Sequence, residues 1–391
     1  MSVLNSRPGL RWLVPAAATV AVIGGALGVG AIAAAADPSL PQRSAAQLLV
    51  DLQTARLDGL SGTVVQRADL GLPALPNVGG QGSADLTSLI AGTHTLRVWY
   101  SGPDKARVAL LGALGESDVI TNGKDLWTWS SKENKASHRT LPTDEARGTG
   151  PTPAPTAMNM TPQQLANLAL AAIDPSTKVT TNGAAKIAGR DAYELVLTPR
   201  DAGSLVGSVR LAVDATQHVP LRVQVYARGS AAPAIEVAFT QVTFARPDDQ
   251  QFTFNPPPGA QVDEATSTDK PGATPNGVTA NGAKPNGATA NGGSASGAKK
   301  PAVIGTGWTS VVVARLPKPA ADSTAKPNDT TGTAALLKNL PTVSGAWGSG
   351  HLLTSNLVSV LLTDDGRVLA GAVAPDRLYQ AAADPAAQLG S

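Results

Sequence analysis

Four successive segments, "YELVLTP", "SVRLAVD", "LRVQVYAR" and "AIEVAFTQVTF", alternate apolar and polar residues with a period of two. One set of positions holds Tyr193, Leu195, Leu197, Val209, Leu211, Val213, Leu221, Val223, Val225, Ile235, Val237 and Phe239. The alternate set holds Glu194, Arg210, Asp214, Arg222, Gln224 and Glu236. Side chains on a strand point to opposite sides in turn, so this pattern requires strands with one aliphatic face and one wet face. Short connections between them make an antiparallel meander that buries one side only and curls around what it buries.

The same period appears earlier in the chain. "HTLRVWYS" alternates Leu96, Val98 and Tyr100 against Thr95, Arg97 and Trp99. "ARVALLG" follows across the turn Gly102-Pro103-Asp104, and "SDVI" and "LWTW" flank Asn122-Gly123, a tight-turn dipeptide. Ahead of these, "PQRSAAQLLVDLQTARLDGLSGTVVQ" reads as a helix passing into a strand, with Ala46, Leu49, Val50 and Leu57 on one side and Gly59 as its stop. The long connection "ALPNVGGQGSADLTSLIAG" reads as a flap over the sheet. A Pro-, Gly- and Thr-rich break at 143–156 precedes "TPQQLANLALAAIDP", where Thr161, Pro162 and Gln164 start a helix with Leu165, Leu168 and Ile173 on its apolar side.

"FTFNPPPGAQV" closes this part. Residues 263–300 repeat Asn-Gly and Pro-Asn-Gly with no apolar period, the composition of a disordered tether. Residues 301–391 read as a small α+β module: "GWTSVVVARLP", a short helix in "AALLKNLPTV", two strands joined at Asp365-Gly366, and a final helix opened by Pro375. The expected division is therefore 1–36, 37–262, 263–300 and 301–391.

Residues 1–36 carry Arg7 and Arg11 before an apolar run from Trp12 to Ala36 that ends "AIAAAADPS". A basic start, an apolar stretch and an Ala-x-Ala site describe a secretory signal. The run is also long enough to span a bilayer, so a cleaved leader and an amino-terminal anchor are both open. Either places the rest outside the cytoplasm. The chain has no cysteine, which excludes disulfides, thiolate chemistry and an acylated cysteine. Its formal charge of +2, with basic residues scattered among acidic ones, gives no electrostatic case for nucleic acid.

The residues offer no catalytic constellation. His94, His138, His218 and His351 fall on separate elements away from carboxylates at ligand spacing and read as surface or strand-end residues, so neither a metal nor a cofactor is expected. Two Ser-x-x-Lys matches, at Ser296 and Ser323, lie in low-complexity stretches that cannot hold a nucleophile in place. Asp364-Asp365-Gly366 reads as a turn rather than a cation site, and Lys132, Glu133 and Lys135 as a solvated loop.

Trp127 and Trp129 stand two residues apart in a chain with six tryptophans, so their rings share a face. Two readings are open. They pack in the core against the 161–173 helix, or they line a concave apolar surface with Trp99 and the aliphatic faces of the later strands.

The leader, the hairpins "HTLRVWYSGPDKARV" and "ESDVITNGKDLWTWSSKENKASHRTLP", the mid-chain helix and "VTTNGAAKIAGRDAYELVLTP" with its meander resemble the LolA-like lipoprotein-carrier superfamily, which includes the RseB/MucB regulators. The run Asn122-Gly123-Lys124-Asp125-Leu126-Trp127-Thr128-Trp129 and the strand with Gly189, Arg190, Tyr193, Leu195, Leu197 and Pro199 are particularly similar to family motifs. The resemblance covers about residues 40–262 and implies an α+β fold: an incomplete antiparallel β-barrel with covering helices and a cavity for acyl chains. It brings no catalytic residues, so the expectation is a non-enzymatic carrier or chaperone of a lipid or lipoprotein acyl moiety in the cell envelope. The candidate lining is Trp99, Trp127, Trp129, Leu195, Leu197, Leu211, Val213, Val223, Val225, Val237 and Phe239. The two-part layout is closest to the RseB/MucB plan, which implies the alternative of an envelope-stress regulator whose carboxyl-terminal module binds a membrane anti-sigma-type partner.

Overall fold

In the computed structural model, residues 40–72, 83–141, 176–265, 302–315 and 340–384 are described. The leader, the 161–173 helix, residues 266–300 of the expected tether and residues 334–339 of the expected short helix lie outside them. Among the described residues no helix is long and apolar enough to cross a membrane.

The chain enters through helix α1 (Ala45–Thr54), started by a capping box in which the Gln47 amide donates to Ser44 Oγ and the Ser44 amide to Gln47 Oε1. The buried positions are Leu48 and Leu52, whereas Val50 is exposed and Leu57 lies beyond the helix. The expected apolar face is therefore corrected by about one residue: the cap sets the start, and the i, i+4 pair Leu48/Leu52 meets the sheet.

Strand β1 (Gly59–Ala68) follows, then β2 (Gly92–Ser101), β3 (Lys105–Leu111), β4 (Glu116–Asn122), β5 (Asp125–Ser130) and β6 (Lys135–Thr140), a run of antiparallel hairpins. A second run comprises β7 (Thr177–Ile187), β8 (Arg190–Pro199), β9 (Val206–Asp214), β10 (Pro220–Ala227) and β11 (Pro233–Thr243). Among the described residues the two runs join through β1, which pairs with β2 along one edge and β11 along the other. A final strand, β12 (Gln261–Ala265), lies parallel to β6, so the order is β12-β6-β5-β4-β3-β2-β1-β11-β10-β9-β8-β7. Its edge strands β12 and β7 do not pair with each other. This is a large open sheet that does not close on itself, and β12 extends three residues into the stretch read as tether.

The aliphatic face holds the core, where Leu195, Leu197, Leu211, Val223 and Val237 pack with Leu48 and Leu52 of α1 and with Val64 and Val98 from the central strands. Part of the expected flap is held down on the sheet. Residues Leu86–Ile90 form a 3-10 turn, Leu89 is buried, and Gln66 Nε2 donates to the Leu89 carbonyl at 2.7 Å. Apolar Leu89 and a buried polar partner hold this part of the connection down.

A second sheet has the order β13 (Ala302–Ile304), β14 (Val311–Arg315), β18 (Arg367–Gly371), β17 (Ser359–Thr363), β16 (Gly348–Thr354) and β15 (Thr342–Gly345). Thr342 and Val343, expected at the end of a helix, are instead in strand. Gly366 takes a φ of 84° in the turn between β17 and β18, and Pro375 opens helix α2 (Pro375–Ala383) as expected. Leu378, Ala381 and Ala382 of α2 pack on Val311, Val313, Leu361 and Leu369. Buried Arg367 ties the layers together, donating to Asp365 at 2.7 Å, the Ala382 carbonyl at 2.9 Å and the Trp347 carbonyl at 3.3 Å. All described residues fall within one compact unit, Leu40–Ser391.

The seam at β1 depends on close approach. A Cβ added at Gly62 would meet the Gln241 carbonyl oxygen at 2.4 Å and the Phe239 ring at 2.9 Å, next to the bulge that offsets the β1–β11 register between Thr63 and Val64. Gly62→Val should destabilise the protein by about 3 kcal/mol, the upper end of overpacking costs, because backbone has to move. Urea unfolding followed by far-ultraviolet circular dichroism checks this; an unchanged midpoint would contradict the seam.

Candidate functional site

Register decides which predicted residues share a face. Trp99 lies opposite Arg107, Arg107 opposite Ile120, Ile120 opposite Trp127, and Trp127 opposite His138. Trp129 lies opposite Asp118 and Ala136 in the adjoining row. Directly paired residues point the same way, so the three tryptophans occupy one face. Following the pairs through β1 puts Arg67, Glu236, Gln224 and Arg210 on that same face. Leu195, Leu197, Leu211, Val213, Val223, Val225, Val237 and Phe239 are on the other.

The expected single lining therefore divides in two. The aliphatic members stay together: all but Val225 are buried in the core, and Val225 packs half-buried against it. Trp99, Trp127 and Trp129 are separated from them by the thickness of the sheet. The physical reason is the pleat, since Trp99 alternates with Val98, and Val98 is the residue that faces the core.

What lies over Trp127 and Trp129 is the segment leading out of β11. It makes a 3-10 turn at Asp249–Phe252, with Phe252 buried, and continues into β12. Phe254 lies 5.2 Å from the Trp127 ring and 5.8 Å from the Trp129 ring, centroid to centroid. Trp127 also stacks on His138 at 4.3 Å and 18°. Trp99 lies between two guanidiniums, with Arg97 at 5.0 Å and Arg107 at 5.1 Å from its ring centroid. Arg107 is in turn held by buried Asp118 at 2.8 Å and by Glu116 at 3.2 Å. Burial and the neighbouring Asp118 raise the Glu116 carboxyl above its usual range despite Arg107.

Polar contacts fasten this strap at three further points. Lys105 pairs with Asp249 at 2.9 Å, Lys135 with Asp263 at 2.7 Å, and Asn134 Nδ2 donates to the Gly259 carbonyl at 2.9 Å. Lys135 is thus a strand residue with a partner rather than part of a solvated loop. His138 lies between Glu264 at 2.8 Å and Asp125 at 3.0 Å. Spacing along the chain missed this arrangement because Glu264 arrives through the parallel pairing of β12 with β6. His94, read as a surface or strand-end residue, is buried on the aliphatic face, its Nε2 bonded to the Ala91 carbonyl at 2.9 Å.

Elsewhere on the polar face a cross-strand ladder runs over the second meander. Glu194 accepts from Asn182 and from Arg222, each at 2.7 Å, and Glu236 accepts from Arg67 at 3.2 Å and from Gln224. At one corner, buried Asp214 accepts from Arg190 and from the Thr216 and Gln217 amides. Burial opposes ionisation of Asp214, but these donors outweigh it and hold its carboxyl below the ordinary value. These are structural pairings. Among the described residues no group of three or more His, Cys, Asp or Glu side chains is placed to hold a metal ion.

A family model described as "Predicted periplasmic protein (DUF2092)" matches residues 84–263. No curated protein matches the sequence. Among solved structures, the MucA/MucB complex of Pseudomonas aeruginosa is similar at 17% identity and TM-score 0.40, over 86% of this chain and 96% of that one. An uncharacterized conserved protein from Thermus thermophilus is similar at 13% identity and TM-score 0.33, over 56% of this chain and 99% of that one. A LolA superfamily protein from Nitrosomonas europaea gives 13% identity and TM-score 0.21, over 55% and 99%. The family description agrees with the leader read from the sequence: the chain is extracytoplasmic.

Burial pushes the His138 imidazole down, but its hydrogen bonds to Asp125 and Glu264 outweigh this and raise it above its ordinary value. A raised value in the folded state means that the strap gains stability below about pH 6.5 and loses that gain as pH rises through the folded value. The difference in Tm between the native protein and His138→Gln should accordingly be larger at pH 5.5 than at pH 8.5. An equal difference at both would show that His138 contributes only its stacking on Trp127.

Proposed function

We propose that this protein is a non-catalytic exported binding protein that holds a lipid or lipoprotein acyl moiety against the aliphatic face of its unclosed sheet, as a carrier or chaperone. The observation that carries the proposal is the one-sidedness of that sheet. Its aliphatic face is continuous from β8 to β4, and α1 packs where β7 and β8 lie. Beyond α1, at β2 to β4, Leu96, Val108 and Val119 are only half-buried on the same face. An acyl chain laid there removes further apolar surface from water, at about 0.8 kcal/mol per methylene. The tightly packed residues around Leu195 and Leu211 then serve as the floor rather than the walls of the site.

A second reading gives the carboxyl-terminal module a membrane-protein partner and the whole protein a regulatory role. It is favoured by Val303 and Val312, which are 62% and 44% exposed on neighbouring strands of the second sheet. This reading predicts a stable complex with a membrane protein that Val312→Lys abolishes.

Mass spectrometry of an organic extract of the purified protein tests the first reading, with a stoichiometric lipid or acylated peptide as the expected result. Val108→Asp should remove it, while Trp127→Ala, on the opposite face, should leave it in place. Protein that is empty and resists loading would overturn the proposal.

A further inference from the structure

The second sheet does not hang free. Among the described residues, the hydrogen bonds that join it to the large sheet lie at one end, where β8, β10 and β1 finish and β7, β9 and β11 begin. The Leu205 amide donates to the Ala372 carbonyl at 2.8 Å, and Ser204 and Val373 form an isolated antiparallel bridge. Trp308 Nε1 donates to Thr177 Oγ1 at 2.7 Å, and Thr309 Oγ1 to Asp201 Oδ2 at 3.3 Å. On the far side of the same end, the turn between β16 and β17 reaches the exit of β1. There the Asn356 amide donates to the Leu70 carbonyl at 2.8 Å, and its Nδ2 to the Asp69 carbonyl at 3.3 Å.

Fit at this turn is close. Gly71 takes a φ of 62°, and a Cβ there would meet the side-chain amide oxygen of Asn356 at 2.8 Å. Ser355 shapes the turn, its Oγ accepting from the Val358 amide at 3.0 Å and donating to the Val358 carbonyl at 2.8 Å. The next apolar residue, Leu357, is 4% exposed, and its side chain belongs to the core of the large sheet, with Leu70, Val64 and Leu48. Trp308 and Ala372 pack against that same core. The module therefore contributes apolar side chains to the end of another sheet's interior, through contacts that are otherwise a few hydrogen bonds.

We propose that the carboxyl-terminal module is a removable stopper for the apolar interior of the large sheet, with Leu357 as its plug, so that the module must move away from this end for an acyl chain to load fully. This rests on the acyl-binding reading above and adds its regulation. Val64 lies opposite Leu96 in the register, and both belong to or pack against the cluster that Leu357 enters, so Leu357 and an acyl chain reaching along this face from β2 meet at the same apolar surface. The turn carrying Leu357 is held at the β1 exit by two Asn356 bonds to backbone carbonyls, a set that opens without unfolding either sheet.

The absence of cysteine in the chain makes a direct test clean. Partners in an antiparallel bridge have Cα atoms about 4.5–5.5 Å apart, within disulfide range, so a Ser204→Cys, Val373→Cys double variant can lock the module in place. Titration of the full chain with cis-parinaric acid, a fluorescent eighteen-carbon fatty acid, should give at least tenfold weaker binding for the oxidised double variant than for the native protein, with recovery on reduction. Leu357→Ala should bind several-fold more tightly. Equal affinity for the locked, reduced and native proteins would overturn the stopper while leaving acyl binding intact. No binding by any of them, Leu357→Ala included, would overturn the acyl-binding reading and the stopper with it.

Discussion

The pairing of β1 with two partners is the interaction on which the rest of the large sheet depends. Each meander is internally local, strand following strand across a short turn, and among the described residues neither pairs with the other's edge directly. The first strand in the chain is the described element that pairs with both, reaching β11 across most of the domain's sequence. Such a pairing carries a large loop-closure cost and is repaid only when both faces of the seam fit. Glycine at position 62 belongs to that fit, because the Gln241 carbonyl and the Phe239 ring occupy the space a side chain would need. One bulge at Thr63 and Val64 lets the two meanders keep a common aliphatic face although their edges do not match residue for residue.

Once that face is continuous, the other follows by exclusion. Polar and aromatic side chains share it, and they are managed differently at the two ends. Over the second meander, carboxylates and guanidiniums pair across strands. Over the first, Trp127 and Trp129 are too large to leave in water, and the chain returns past them with Phe254 on its way to β12. Aromatic pairing and a parallel strand at the sheet edge thus solve two problems together: Trp127 and Trp129 gain neighbours, and β6 is no longer an open edge. The His138 cluster is the electrostatic fastening of that return.

The second sheet meets a different need at the opposite boundary. An unclosed sheet has ends as well as edges, and apolar side chains at an end require a lid. Leu357, Trp308 and Ala372 supply it from outside the large sheet, and the buried Arg367 keeps the module that presents them rigid. Few bonds cross this boundary compared with those inside either sheet, which makes it the natural place for movement.

Much of this was legible in the sequence. The period of two in residues 193–239 determined antiparallel strands with one aliphatic face; Asn122-Gly123 and Asp365-Gly366 determined turns; Pro375 determined a helix start; and the extracytoplasmic location read from the amino-terminal residues agrees with the family description. Each is a local property, set by backbone geometry over a few residues. Register is not local, and it decided everything else: that the tryptophans and the aliphatic residues lie on opposite faces, that His138 meets Glu264, and that Leu357 enters a core whose Leu70 and Val64 lie nearly three hundred positions earlier. Alternation states only that neighbours along a strand point opposite ways; which neighbours across strands they join is settled by how the whole sheet closes its longest loop.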